Sequence, residues 1–145
     1  MRLVIQRVLS AKVTVEDKTV GEISQGVLVY LGIKKNDSAS AIDYLINKLI
    51  HLRMFSDEKD RMNLSLLDKK YSCLLISQFT LYADLQSGRR PSFTAAEHPE
   101  KAKELYLQFI QKLKEHLPVQ TGEFGAKMQV SSTNDGPVTF VLDSV

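Results

Sequence analysis

Three stretches of the 145-residue chain carry side chains whose types and spacing could do chemistry: SQFTLYA at 77–83, GRRPSF at 88–93 and NDGPVT at 134–139. The first ends an apolar run. On a regular strand Ser77, Phe79 and Leu81 share one face and Gln78, Thr80 and Tyr82 the other. A strand leaving the core here presents hydroxyl, amide and backbone N–H groups to a pocket, or simply passes to a solvated edge. The second stretch sets two adjacent arginines beside an aromatic ring. Guanidinium pairs with phosphate and a ring stacks on a base, although two arginines in a polar loop are equally an ordinary solvated pair. In the third, Asp135-Gly136 is a hairpin signal, but Pro137 falls where a returning strand needs a donor. Gly-Pro in a tight turn also admits a cis bond. The sequence predicts a hairpin there, between strands KMQVSST and PVTFVLDSV, whose turn is either merely stiff or has a backbone shaped for a function.

Conventional nucleophilic machinery is poorly represented. An attacking Ser, Cys or Thr needs a base to take its proton, and His51, His98 and His116 sit at charged or amphipathic positions with no motif around them. Cys73 alternates within the apolar run YSCLLIS, which suits inert packing better than reactivity. No His, Cys, Asp or Glu pair has a zinc spacing, and no stretch matches GxxxxGK[ST] or GxGxxG. The expectation is an absence of metal and cofactor.

The elements that must position these stretches follow from hydrophobic periodicity. LVIQRVLSAKVTVE reads as one long or bent strand. TVGEIS and GVLVYLGI read as a strand pair across Gln25-Gly26, the second central because it is apolar throughout. Asn36, Asp37 and Ser38 offer N-caps to a helix over AIDYLINKLIHLRMF, with Ile42, Leu45, Ile46 and Leu49 inward. SDEKDRMNLSLLDKK is a loop or short hairpin, YSCLLISQFTLYA a strand and ADLQSGRRPS a polar loop. From about Pro99 a second helix turns Ala102, Leu105, Tyr106, Phe109, Ile110 and Leu113 to one face, and Pro118 stops it. The order is α+β, one domain over 1–145 with no linker or repeat.

A net charge of +2 fits an anionic partner but lacks the strong basicity of a DNA-coating protein. A single cysteine cannot form an intramolecular disulfide, and no stretch approaches about eighteen uninterrupted apolar residues. The expected setting is a reducing cytoplasm, with no export signal and no membrane insertion.

Together the stretches MRLVIQRV, MNLSL, SQFTLYA, GRRPSF, FGAKM and NDGPVT, in this order over the whole chain, resemble the D-aminoacyl-tRNA deacylases. SQFTL and Asn-x-Gly-Pro-x-Thr are the specific elements. A local departure is Asp60-Arg61, where many relatives carry a glycine-lysine turn. The resemblance implies a compact α+β domain with a β-barrel-like sheet core and two main helices, acting as a homodimer on the aminoacylated 3′ end of tRNA, with no DNA or membrane partner. It implies hydrolysis of the ester of D-aminoacyl-tRNA, and of glycyl-tRNA mischarged on tRNA-Ala. Ser77, Gln78, Phe79 and Thr80 would form the catalytic pocket. A cis Gly136-Pro137 from the partner subunit would reject L-amino acids, with Arg7, Asn134 and Thr139 in support. Phe124, Gly125, Ala126 and Met128 would hold the terminal adenosine. The family favours assistance by the substrate's 2′-hydroxyl and an oxyanion held by N–H groups around Phe79 and Thr80, over attack by Thr80 itself. The alternative is a non-catalytic RNA-binding or replication-origin-associated dimeric module.

Overall fold

Fourteen residues at the start of the chain, rich in β-branched side chains, form one continuous strand that organises everything after it. The computed structural model describes residues 1–86 and 88–145. Strand β1 (Arg2–Val15) pairs antiparallel along one edge with β8 (Gln129–Asp143). Its other edge is shared end to end: β3 (Gly26–Gly32) takes Arg2 to Val8, and β2 (Lys18–Ile23) takes Ala11 to Val15. Thus β2 and β3 are not partners of each other, contrary to the strand pair expected across Gln25-Gly26. The short link instead moves the chain from one half of β1 to the other. A Cβ on Gly26 would come within 2.0 Å of the Ser72 carbonyl oxygen, so the crossing is possible because that residue has none.

Strand β6 (Ser72–Ser77) joins β3 in parallel and β7 (Val119–Thr121) joins β6. The curved sheet then nearly closes, with a Gly21 Cβ position on β2 only 2.5 Å from the Thr121 carbonyl oxygen on β7. β3 lies between β1 and β6, as its continuous apolar run predicts. Its alternate residues feed two cores. Val27, Val29 and Leu31 face the helices with Cys73 and Leu75 of β6, while Leu28 meets Leu74, Ile76 and Val13 inside the curve. β1 uses both faces as well: Leu3 and Ile5 face the helices, then Val8, Ala11 and Val13 the interior. Leu9, unmatched between the pairs Val8↔Asn134 and Ser10↔Thr133, is the extra residue that resets the alternation.

Helix α1 (Ala39–His51) buries Ile42, Leu45, Ile46, Leu49 and Ile50, but stops earlier than periodicity suggests. Leu52 is extended, and Phe55 leaves to pair with Leu64 in a short hairpin of β4 (Phe55–Ser56) and β5 (Met62–Leu64). At its turn Asp60 adopts φ +55, the left-handed region where glycine is at ease. Its carboxylate accepts the Ser56 hydroxyl at 2.9 Å, while Asp57 accepts the Lys59 and Arg61 amides. Helix α2 (Leu66–Lys69), unforeseen in the sequence reading, starts at a reciprocal Ser65/Asp68 cap. Helix α3 (Pro99–Lys114) buries Leu105, Tyr106, Phe109 and Leu113 as expected, and ends before Pro118. Among the described residues no helix is long and apolar enough to cross a membrane.

Candidate functional site

The run SQFTLYA does not continue as a strand. β6 ends at Ser77, and Phe79–Tyr82 coil into a single 3-10 turn, so the expected sharing of faces by Ser77, Phe79 and Leu81 is lost. The reason lies in the neighbouring strand. The Gln78 amide donates to the Leu31 carbonyl at 2.8 Å, and Gly32 lets Leu81 approach so closely that a Cβ there would lie 2.9 Å from Leu81 Cβ. The turn therefore packs over the end of β3 rather than running on beside it. Its own hydrogen bonds begin with Leu81 N–H to the Gln78 carbonyl, so the amides of Phe79 and Thr80 stand ahead of the first closed ring.

Beside this turn opens a cavity of about 790 Å³. Ser77, Gln78 and Phe79 form one wall and Phe124, Gly125, Ala126 and Met128 another. Two of the expected groups, far apart in sequence, thus meet in one pocket. Thr80 is exposed at its margin, and its hydroxyl accepts the Gln78 side-chain amide at 2.5 Å. An amide cannot serve as a general base, so this geometry does not activate the hydroxyl. Gly125 takes φ +78, which favours glycine, and the bare face of Gly122 lets the Met128 sulfur pack close. Tyr106 lies behind the wall: its hydroxyl donates to the Leu75 carbonyl at 2.9 Å and its ring sits 5.7 Å from Phe124. Burial raises the Tyr106 pKa, keeping it a neutral donor.

The remaining wall was missed by sequence reasoning. Lys35, Thr94, Glu97 and His98 add polar groups around the N-terminal end of α3. The Glu97 side chain is only 6% exposed, meets Lys101 Nζ at 3.1 Å and accepts the His98 amide at 2.9 Å. The His98 amide first, then Lys101, hold its carboxyl below the ordinary value. The one available signal was the position of these residues just before the Pro99 helix start. Cys73 is wholly buried, and desolvation pushes its thiol well up, as inert packing requires. Among the described residues no group of three or more His, Cys, Asp or Glu could hold a metal ion.

NDGPVT forms no hairpin. β8 runs straight through it, paired with β1 on both sides, and bulges where Thr139 faces Gln6 and Asn134 faces Val8. Four residues, 135–138, oppose Arg7 alone. Local turn chemistry suggested a reversal; pairing with a strand over a hundred residues away imposed a bulge instead. Gly136 has φ +129 and the Gly136-Pro137 bond is cis. Arg7 sits beneath, its side chain 12% exposed, with Nη1 donating to the Met54 carbonyl at 2.8 Å and Nε to the Asp135 carbonyl at 3.2 Å. Asn134 closes the neck: its Oδ1 accepts the Val138 amide and its Nδ2 donates to Thr139 Oγ1, both at 3.2 Å. Gly136 and Pro137 are exposed and do not line the cavity of their own chain.

Fold and pocket together define a class: a nearly closed, barrel-like α+β domain that offers a largely apolar cavity edged by main-chain donors, with a separate backbone loop braced outward. The sequence model of the family described as D-Tyr-tRNA(Tyr) deacylase matches residues 4–143. The D-aminoacyl-tRNA deacylase of Finegoldia magna is 57% identical over 145 residues, covering 99% of this chain and 98% of its own. That of Thermosipho melanesiensis is 54% identical over 146 residues, covering 99% and 97%. A solved structure titled c-Myc DNA Unwinding Element Binding Protein superposes with a TM-score of 0.95 at 39% identity, over 100% of this chain and 99% of that one. A second, titled as a probable eukaryotic D-amino acid tRNA deacylase, has a TM-score of 0.83 over 97% of each chain at 20% identity, and shows the shared fold. The chain belongs to the D-aminoacyl-tRNA deacylase family, and is thereby a hydrolase of carboxylic esters.

Proposed function

We propose that this protein is a cytoplasmic homodimer that hydrolyses the ester of D-aminoacyl-tRNA, and of glycyl-tRNA mischarged on tRNA-Ala, while sparing L-aminoacyl-tRNA. The observation that supports the reading is the meeting of Ser77, Gln78 and Phe79 with Phe124, Gly125, Ala126 and Met128 in one cavity of about 790 Å³. Phe124, Gly125, Ala126 and Met128 hold the adenosine; Ser77 and Gln78 shape the ester's surroundings. The amides of Phe79 and Thr80 stabilise the oxyanion. Thr80, bonded to an amide rather than a base, is not the nucleophile. Water attacks with help from the substrate's own 2′-hydroxyl, held close by the same walls.

Chiral selection belongs to Gly136 and Pro137, whose main chain forms a wall that leaves room for hydrogen but not for an L side chain. Glycine has no side chain to exclude and so passes. Because these residues stand outside their own cavity, the wall is supplied by a second copy of the chain. Arg7, Asn134 and Thr139 brace it through the bonds described above.

Hydrolysis of D-tyrosyl-tRNA alongside L-tyrosyl-tRNA tests the reading: a strong D preference is expected, and equal rates or no D-specific cleavage overturn it. Substrate ending in 2′-deoxyadenosine should react far more slowly, and undiminished hydrolysis refutes 2′-hydroxyl assistance. A second reading, a non-catalytic nucleic-acid-binding module, draws on the 39%-identical relative whose title names a DNA element. It predicts retention of nucleic acid with no ester cleavage, which the same assay separates.

A further inference from the structure

Two aromatic rings at the mouth of the cavity are left without a role by this account. Phe79 is 55% exposed and Phe93 40% exposed, yet they touch edge to face, centroids 5.0 Å apart at 66°. Single exposed apolar side chains are common. A mutually braced pair beside a substrate pocket is a firmer observation, because the edge-to-face arrangement leaves ring surface free for a third aromatic plane. Phe93 is also held in place on both sides. The Asp84 amide donates to the Ser92 carbonyl at 2.7 Å and the Ser92 amide returns to Asp84 at 3.0 Å, while Ala96 N–H donates to the Phe93 carbonyl at 3.1 Å. Just upstream, Arg89 and Arg90 are exposed on the loop that this pairing closes. The nearby acid Glu97 is engaged by Lys101.

We propose that Phe93, braced by Phe79, stacks the base of the nucleotide preceding the terminal adenosine, with Arg89 and Arg90 against the phosphates of that single-stranded 3′ end. The inference rests on the deacylase reading and extends it from the terminal nucleoside to its neighbour. Stacking tolerates any base, and arginine reads phosphate rather than sequence, so this contact adds affinity without restricting the tRNAs served. It also orients the strand as it enters the cavity, where the ester must meet the 78–80 backbone.

The test compares D-tyrosyl-tRNA with D-tyrosyl-adenosine, which lacks the preceding nucleotide. Phe93→Ala should raise KM for the tRNA substrate about ten-fold with kcat little changed, change D-tyrosyl-adenosine hydrolysis several-fold less than that, and be rescued by Phe93→Tyr. Arg90→Ala should lower the slope of log KM against log salt by about 0.7, for the tRNA substrate only. Equal loss on both substrates, loss on neither, or dissociation of Phe93→Ala into single chains in sedimentation overturns the stacking site. An unaltered chain that cleaves neither substrate overturns the deacylase reading and the stacking site together.

Discussion

At the scale of single residues, the proposed mechanism relies on groups that hold rather than groups that react. Thr80 is the test of that statement. Its hydroxyl accepts from the Gln78 amide, so Thr80→Ala should leave D-aminoacyl-tRNA hydrolysis within a few-fold of the unaltered rate; complete loss with fold and tRNA binding intact would make Thr80 a nucleophile. Arg7 behaves differently, because its planar guanidinium reaches two carbonyls at once, those of Met54 and Asp135. Lysine brings a single nitrogen and cannot span both. Arg7→Lys should therefore cost about 1–3 kcal/mol in urea unfolding, the penalty of a buried acceptor left unmet, and weaken D-over-L discrimination more than it slows D hydrolysis. Equal stability and unchanged discrimination would show that the guanidinium does not brace the bulge. These roles were only partly legible in the sequence. GRRPSF and SQFTL announced arginine, amide and ring, but Glu97 and His98 were marked only by their place before the Pro99 helix start, since a pocket wall is made by residues that come together only after the helix has docked.

At the scale of elements, long periodic segments were read correctly and most of what depended on a distant partner was not. The long β1, the central β3 and the apolar face of α3 follow from periodicity alone, a property of the segment itself. The supposed hairpin at NDGPVT failed because its outcome is decided across the ladder, where Gln6 and Val8 hold register on either side of Arg7. SQFTL failed for a similar reason: the end of β3, through the Leu31 carbonyl and the bare Gly32, turns the chain into a 3-10 coil. Helix α2 was short enough to hide in a charged loop, yet its start is a strong local device. Asp68 accepts the Ser65 amide at 2.8 Å and the Ser65 hydroxyl at 2.7 Å, and these bonds, the amide first, lower its carboxyl below the ordinary 3.8. The folded chain then binds fewer protons at Asp68 than the unfolded chain does. Its stabilisation is present above the ordinary carboxylate range and is lost as pH falls through the lowered folded value. Thermal midpoints measured between pH 6 and pH 2 should fall less steeply in Asp68→Asn than in the unaltered protein; identical profiles would remove the cap from the account of acid stability.

At the scale of the whole molecule, the cavity and the exposed bulge at Gly136 and Pro137 lie apart on one chain, so the proposed chiral wall requires a second copy of the chain. β8 carries the bulge, and its outer residues Phe140 and Val141 are 37% and 63% exposed. Complementation separates the two contributions. One variant has a blocked cavity (Ala126→Trp) and a sound bulge; the other has a weakened bulge (Asn134→Ala) and a sound cavity. Mixed and refolded together, they should recover D-specific hydrolysis that neither shows alone, because the mixed dimer holds one site with both parts intact. No recovery, with mixed dimers confirmed by mass, would place wall and cavity on the same chain. The interior offers a different kind of readout. Cys73 lies at 0% exposure in the middle of the sheet, its thiol held protonated by burial, between β3 on one side and β7 on the other. A thiol reagent therefore reaches it only when those strands part. The sole sulfhydryl becomes a built-in clock of global opening: its labelling rate under native conditions counts how often the barrel comes apart, with no denaturant and no introduced probe.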